Sequence, residues 1–271
     1  MQKLFLPALL LILSIACQKA NTDDITNLNC NEIAVYGHGG MGIESLLPLN
    51  SFRSIEKCLE QGAAGTEIDV QLTLDNVLVA YHDPDLSSKT DCSGQIASLN
   101  RADLQDCGYS KKHDVITLDD LFSRISNPTD YIFTLDCKLH APVVDEAYLN
   151  RYATAIDDLA NRHQLRNNLF IETQSRQFLT ILQDQAPDFK LFIYPANFDE
   201  GLSIAAEMDL FGITFAVDQT TAAQVDQAHE MGFRVTLWNT HSKKRNKTAV
   251  EMHPDYIQTD NLNYLLNTLT P

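Results

Sequence analysis

The segment Thr66-Glu67-Ile68-Asp69-Val70-Gln71 spaces two carboxylates two residues apart. In an extended strand successive side chains alternate between faces, so Glu67 and Asp69 share one face and Ile68 takes the other. Two carboxylates on one face repel unless something positive lies between them, and a hard divalent cation with oxygen ligands is the commonest neutraliser. Thirteen residues after Asp69 comes His82-Asp83-Pro84, which adds a side chain able to carry a proton near neutral pH. Asp136 and Lys138 repeat the two-residue spacing, and His38 stands upstream of them all. Taken singly, Glu67 and Asp69 also suit a solvated strand face, and His82 beside a proline suits a turn. Together these residues point to metal-assisted hydrolysis.

Positioning them requires a particular order of elements. Apolar runs at 33–36, 66–71, 131–136, 169–172, 191–194, 212–215, 234–238 and 256–259 predict eight strands, with a short hairpin addition at 77–81 across the turn Asp75-Asn76. Between them lie helical stripes. Phe52, Ile55, Cys58 and Leu59 recur at three- and four-residue intervals and end at Gly62. Val144, Tyr148, Tyr152, Ala155, Ile156 and Leu159 form a longer stripe; Ser175 and Thr221 open two more, the second closed by Gly232. Such alternation demands parallel strands joined by right-handed crossovers, and eight units predict a closed (β/α)8 TIM barrel over residues 32–271. The stretch from 83 to 115 interrupts the pattern after the second strand and predicts a cap over the barrel mouth. Active sites of such barrels lie at the carboxyl ends of the strands, where His38, Glu67, Asp69, His82, Asp136 and Lys138 all fall.

With those positions in hand, the chain resembles the glycerophosphodiester phosphodiesterase family. The family's His-Arg-Gly, Pro-Glu-Asn-Thr, Glu-x-Asp, His-Asp-Pro and acid-x-Lys motifs correspond to His38-Gly39-Gly40, Pro48-Leu49-Asn50-Ser51, Glu67-Ile68-Asp69, His82-Asp83-Pro84 and Asp136-Cys137-Lys138. Trp238-Asn239 and Thr259-Asp260 match its late-strand signatures. The resemblance implies hydrolysis of a small-molecule phosphodiester to sn-glycerol 3-phosphate and an alcohol. It implies Glu67, Asp69 and Asp136 as ligands of one Ca2+ or Mg2+, His38 and His82 as acid and base in either order, and Lys138 on the phosphate. Asn50 either caps its helix or faces the site, and Trp238 is either a core aromatic or a wall of the pocket. Three positions depart from the family: Gly39 stands for arginine, Leu49 for glutamate and Asp136 for glutamate. They keep two further readings in play, a sphingomyelinase D-like phospholipase acting on sphingomyelin or lysophospholipid, and a lipid-anchored binding barrel with decayed catalysis.

The formal charge of −16 over 271 residues excludes a nucleic-acid partner that would need a basic surface. The basic run 243–247 is expected to be a solvated loop, and His113, His140, His163, His229, His241 and His253 to lie on surfaces or loops. Residues 1–17 carry Lys3, a twelve-residue apolar run too short to span a bilayer, and Ser14-Ile15-Ala16-Cys17. This predicts a lipoprotein signal peptide with Cys17 lipidated, a polar linker over 18–31, and an exported bacterial lipoprotein attached to membrane by its N-terminus, in the periplasm or at the outer membrane. Export makes disulfides feasible. Cys92 and Cys107 bracket the insertion and are the expected pair, whereas Cys58 and Cys137 suit the core as small apolar residues. The absence of CxxC spacing in the six-cysteine sequence argues against zinc.

Overall fold

Eight parallel strands alternate with eight helices in the computed structural model, which describes residues 26–110 and 112–269. The strands are β1 (Ala34–Gly37), β2 (Gly65–Leu72), β3 (Ile132–Cys137), β4 (Leu169–Thr173), β5 (Lys190–Ile193), β6 (Gly212–Ala216), β7 (Arg234–Trp238) and β8 (Tyr256–Thr259). The helices are α1 (Phe52–Glu60), α2 (Leu118–Arg124), α3 (Glu146–His163), α4 (Arg176–Gln185), α5 (Phe198–Met208), α6 (Ala222–Glu230), α7 (Lys243–Glu251) and α8 (Leu262–Leu269). Neighbours in sequence are neighbours in the sheet, and β1 pairs with both β8 and β2, which closes the barrel. The expected (β/α)8 fold is therefore present. The apolar 1–17 stretch and Cys17 lie outside the described residues. Among the described residues no helix is long and apolar enough to cross a membrane.

Strand parity explains how the barrel is filled. All eight residues of β2 are buried; Ile68, Val70 and Leu72 join the apolar layer between strands and helices, which leaves the alternate positions to the axis. Low on the axis, Tyr36, Phe170, Phe192 and Tyr256, one each from β1, β4, β5 and β8, form a separate aromatic plug. Tyr36 stacks on Tyr256 with centroids 5.3 Å apart, and Phe170 on Phe192 at 5.4 Å. Two residues further along those same strands stand His38, Glu172, Tyr194 and Gln258, all of which line the mouth. The barrel is thus apolar at its base and polar at the carboxyl ends of its strands, as this fold requires.

The helices begin where the sequence predicts capping. Ser175 and Thr221 cap α4 and α6, the latter as a capping box with Gln224. At α1 the cap is Ser51, whose side chain accepts from Ser54 N–H; Asn50 is freed for the site. The basic run at 243–247, expected as a loop, is the start of α7, capped by Ser242. Its sparse apolar content concealed the helical period. Residues at the end of the 18–31 segment lie against the amino end of the barrel, where Leu28 N–H donates to Asp255 Oδ1 at 2.7 Å and Asn27 Nδ2 to the Pro254 carbonyl at 2.9 Å.

The insertion after β2 has its own small core. A strand at Leu78–Ala80 pairs antiparallel with the end of β2 and with Ile116–Thr117. Val79, Tyr81, Leu86, Ile96, Leu104, Cys107 and Val115 cluster beneath three short 3-10 turns, and the expected Cys92–Cys107 disulfide is formed. Cys58 and Cys137 are free thiols in the core, as expected. Its seven buried apolar residues make a satellite far smaller than the main core, so the crosslink matters. Replacing both Cys92 and Cys107 by serine is expected to cost about 2–4 kcal/mol of the insertion's stability. Limited proteolysis should then cut between residues 83 and 115 while far-ultraviolet circular dichroism of the barrel persists; unchanged protease resistance would contradict this.

Candidate metal and active site

Strand register brings the acids together. Asp69 on β2 is the direct partner of Asp136 on β3, and Glu67 of Thr134. One carboxylate oxygen from each of Glu67, Asp69 and Asp136 lies within 4.8 Å of the others, a spacing that suits a shared cation. Lys138 Nζ reaches both Asp69 Oδ1, at 3.0 Å, and Asp136 Oδ2. Asn50, held in the left-handed region at φ 63°, grips Asp69 twice. Its Nδ2 donates to Asp69 Oδ2 at 2.7 Å and its Oδ1 accepts from Asp69 N–H at 3.0 Å. Of the two expectations for Asn50, the site-facing one holds.

The charge balance tests whether a cation fits. Glu67 and Asp69 are 2% and 1% exposed. Three carboxylates and one ammonium leave two negative charges, and an uncompensated buried ion costs on the order of several kcal/mol. The titration of the acids reflects that frustration. Burial, followed by the charge of Asp69, holds Glu67 well above the usual carboxylate range. Burial also raises Asp136, against the pull of Lys138. Asp69 stays below its ordinary value because Lys138 and the nearby histidines outweigh its burial. Glu67 Oε2 accepts from Gly39 N–H at 2.9 Å, whereas Glu67 Oε1 is buried with no hydrogen-bond partner. A divalent ion supplies both the two missing charges and the missing partner, so the donor set fits one hard cation.

Both histidines flank the acids on one cleft of about 780 Å3. His38 Nδ1 pairs with Asp260 Oδ1 at 2.8 Å, and its Nε2 lies 3.9 Å from Glu67 Oε2. Burial alone would lower its pKa; the Asp260 hydrogen bond and the charges of Glu67, Asp260 and Asp69 outweigh it and push it up to about 10. His82 is the more exposed of the two and pairs through Nδ1 with Asp83 Oδ1 at 2.7 Å. Trp238 forms a wall of the cleft. Its ring stands edge-to-face against His38 at 6.4 Å and Tyr194 at 5.4 Å. The two departures at 39 and 49 are neighbours: Gly39 has φ +56°, and a β-carbon there would come 2.9 Å from Leu49 Cβ. A side chain at 39 would therefore be strained by the left-handed backbone, and Leu49 would have to shift as well.

Sequence reasoning singled out all eight of these site positions but missed others on the same cleft. Glu172 at the end of β4, the register partner of Asp136, is 3% exposed. Burial and the charge of Asp136 push its pKa up to about 8. A carboxylate closing a predicted strand was the available signal. Lys89 and Tyr109 of the insertion, Tyr194 and Gln258 also line the cleft. His163 and His229, by contrast, pair with Asp119 and Asp255 at 2.9 Å, away from the mouth.

Comparison with known proteins agrees with this geometry. Residues 41–264 match the sequence pattern of the glycerophosphoryl diester phosphodiesterase family. A glycerophosphodiester phosphodiesterase of Caldanaerobacter subterraneus subsp. tengcongensis is 22% identical over 232 residues, covering 82% of this chain and 92% of the relative. A phosphodiesterase of Oleispira antarctica, solved with the product sn-glycerol-3-phosphate, superposes with a TM-score of 0.76 at 19% identity, over 87% of this chain and 96% of that one. A glycerophosphodiester phosphodiesterase of Parabacteroides distasonis gives 0.76 at 22% identity, over 88% and 96%. At such identities the two solved structures speak for the fold, and the match over 41–264 for the family. The closed barrel, the strand-end acids and that match make this chain a member of the glycerophosphoryl diester phosphodiesterase family.

Proposed function

We propose that the protein hydrolyses glycerophosphodiesters to sn-glycerol 3-phosphate and an alcohol with the help of one divalent cation, Ca2+ or Mg2+. The observation that carries this reading is the convergence of Glu67, Asp69 and Asp136 within 4.8 Å, with Glu67 Oε1 left unpartnered. The product bound to the Oleispira relative supports the same substrate class. Glu67, Asp69 and Asp136 would hold the cation, which when bound neutralises charge on a phosphoryl oxygen.

The chain's own residues supply the rest. Lys138 donates a charge-assisted hydrogen bond to the phosphate, a larger share of phosphate binding given glycine at 39. His38, which Asp260 holds in its protonated form, gives its proton to the leaving alcohol. His82, on the open side of the cleft, takes the proton of the attacking hydroxyl, with Asp83 orienting its ring. Asn50 fixes the Asp69 carboxylate, and Trp238 shields the reacting group from bulk water. Export and a lipid anchor at Cys17 extend this reading: a substrate made from membrane lipid by deacylation arises beside an anchored enzyme. Labelling with a radioactive fatty acid, lost in Cys17→Ser, tests the anchor.

Glycerophosphocholine is the test substrate. Chelation should abolish release of sn-glycerol 3-phosphate, and Ca2+ or Mg2+ should restore it; tight binding without turnover under either ion would favour a decayed binding barrel. Faster release of choline from sphingomyelin or lysophosphatidylcholine would favour the phospholipase reading. His38→Ala and His82→Ala should each lower kcat by about a hundred- to ten-thousand-fold with intact folding. Full turnover by either variant contradicts the acid–base assignment. Asp260→Asn removes the anion that favours the His38 cation, so the alkaline limb of the kcat profile should move to lower pH. An unmoved limb rules out His38 as the proton donor.

A further inference from the structure

The His82 side chain is 56% exposed, against 22% for His38. Packing therefore does not fix its ring, and a base that swings loses its alignment with the proton it takes. Hydrogen bonds stand in for packing here. A carboxylate accepts, so His82 Nδ1–H donates to Asp83 Oδ1 at 2.7 Å, and Nε2 keeps the lone pair that a base needs. The other oxygen, Asp83 Oδ2, accepts from Ser88 Oγ–H. Burial raises the Asp83 carboxyl, yet the Ser88 and His82 hydrogen bonds outweigh it and hold the group below its ordinary value. Ser88 is held in turn by the hydroxyl of Tyr81, which donates to its Oγ at 3.0 Å. Tyr81 is only 1% exposed. A chain of hydrogen bonds thus leads from a buried ring through Ser88 and Asp83 to the exposed imidazole.

Ser88 belongs to the insertion, and the disulfide reaches it. Cys92, four residues on, is joined to Cys107. Beside that bond Asp91 N–H donates to the Gly108 carbonyl at 3.1 Å, and Gly108 N–H donates to Asp91 Oδ1 at 2.9 Å. Tyr109, just past Cys107, packs on Tyr81 with centroids 5.9 Å apart. The crosslink therefore secures both the segment that carries Ser88 and the ring that backs Tyr81. We propose that Ser88 is a positioning residue that holds His82 through Asp83, and that the Cys92–Cys107 disulfide keeps Ser88 in reach. This assignment rests on the reading of His82 as the base. It ties full turnover to an oxidised insertion, the state that export would allow. Reduction by a dithiol adds two electrons and two protons across the S–S bond, giving two protein thiols and a cyclic disulfide of the reagent. The segment from Ser88 to Cys92 then loses its covalent hold.

Turnover of glycerophosphocholine by the full-length, cation-loaded protein tests the link. Ser88→Ala should lower kcat by roughly tenfold with KM nearly unchanged, and Ser88→Thr, which keeps the hydroxyl, should recover most of the loss. In a His82→Ala background Ser88→Ala should add nothing, because it acts only through the imidazole. Dithiol reduction of the wild type should reproduce the fall in kcat and be reversed on reoxidation, with no further effect on a Cys92→Ser, Cys107→Ser protein. Full-rate turnover by Ser88→Ala, a Ser88 effect that persists without His82, or turnover indifferent to the dithiol would overturn the proposal. Nitrogen NMR of the His82 ring reads the same contact without turnover. The Nδ1-protonated form should dominate in the wild type, and Ser88→Ala should shift it toward a mixture of tautomers; an unchanged ring spectrum would also overturn the proposal. A shifted spectrum in Ser88→Ala together with full turnover by His82→Ala would support the positioning contact while contradicting His82 as the base.

Discussion

Two buried carboxylates and a third, partly exposed one, facing one lysine, are the interaction on which this molecule turns. Parallel register sets Asp69 directly beside Asp136, and the two-residue period of β2 adds Glu67 on the same side. The closed barrel holds their strands side by side. Lys138 neutralises one charge, and burial drives Glu67 and Asp136 toward their protonated forms. Such a cluster costs stability in isolation. A divalent ion held there would lower that free energy, and on the proposed function the repulsion that burdens the fold would be the source of metal affinity.

The remainder of the architecture keeps that cluster in place. The aromatic plug seals the barrel below, and Asn50 fixes Asp69 from the loop before α1. Asp260 holds His38 across 222 residues of sequence, so the first and last strands must close on each other before this pair exists. The insertion contributes Lys89 and Tyr109 to one rim. With glycine and leucine packed together at 39 and 49, the opposite side of the cleft offers no guanidinium. On the proposed function a bound phosphate would therefore depend more heavily on Lys138 and the cation than the family's motif suggests.

Much of this was legible in the residues. Eight apolar runs with helical stripes between them marked the strands within about a residue or two, and carboxylates at i, i+2 marked one face of β2. Motif spacing located both histidines and the lysine, and cysteines bracketing an irregular stretch gave the disulfide. What stayed hidden depended on distance. Whether Asn50 caps α1 or grips Asp69 turns on a left-handed backbone and on Ser51 taking the cap. Glu172 and Gln258 end two strands 86 residues apart, and a lone polar residue at a strand end looks solvated until the barrel closes over it. Helix α7 was missed because its face toward the barrel carries few apolar side chains.

The most direct measurement is the titration of Ca2+ or Mg2+ into metal-free protein at pH 7, by calorimetry in two buffers of different ionisation enthalpy. The account predicts one ion per chain, proton release as Glu67 and Asp136 ionise, and loss of that binding in Glu67→Gln. Absence of binding, binding without proton release, or binding indifferent to Glu67→Gln would contradict it.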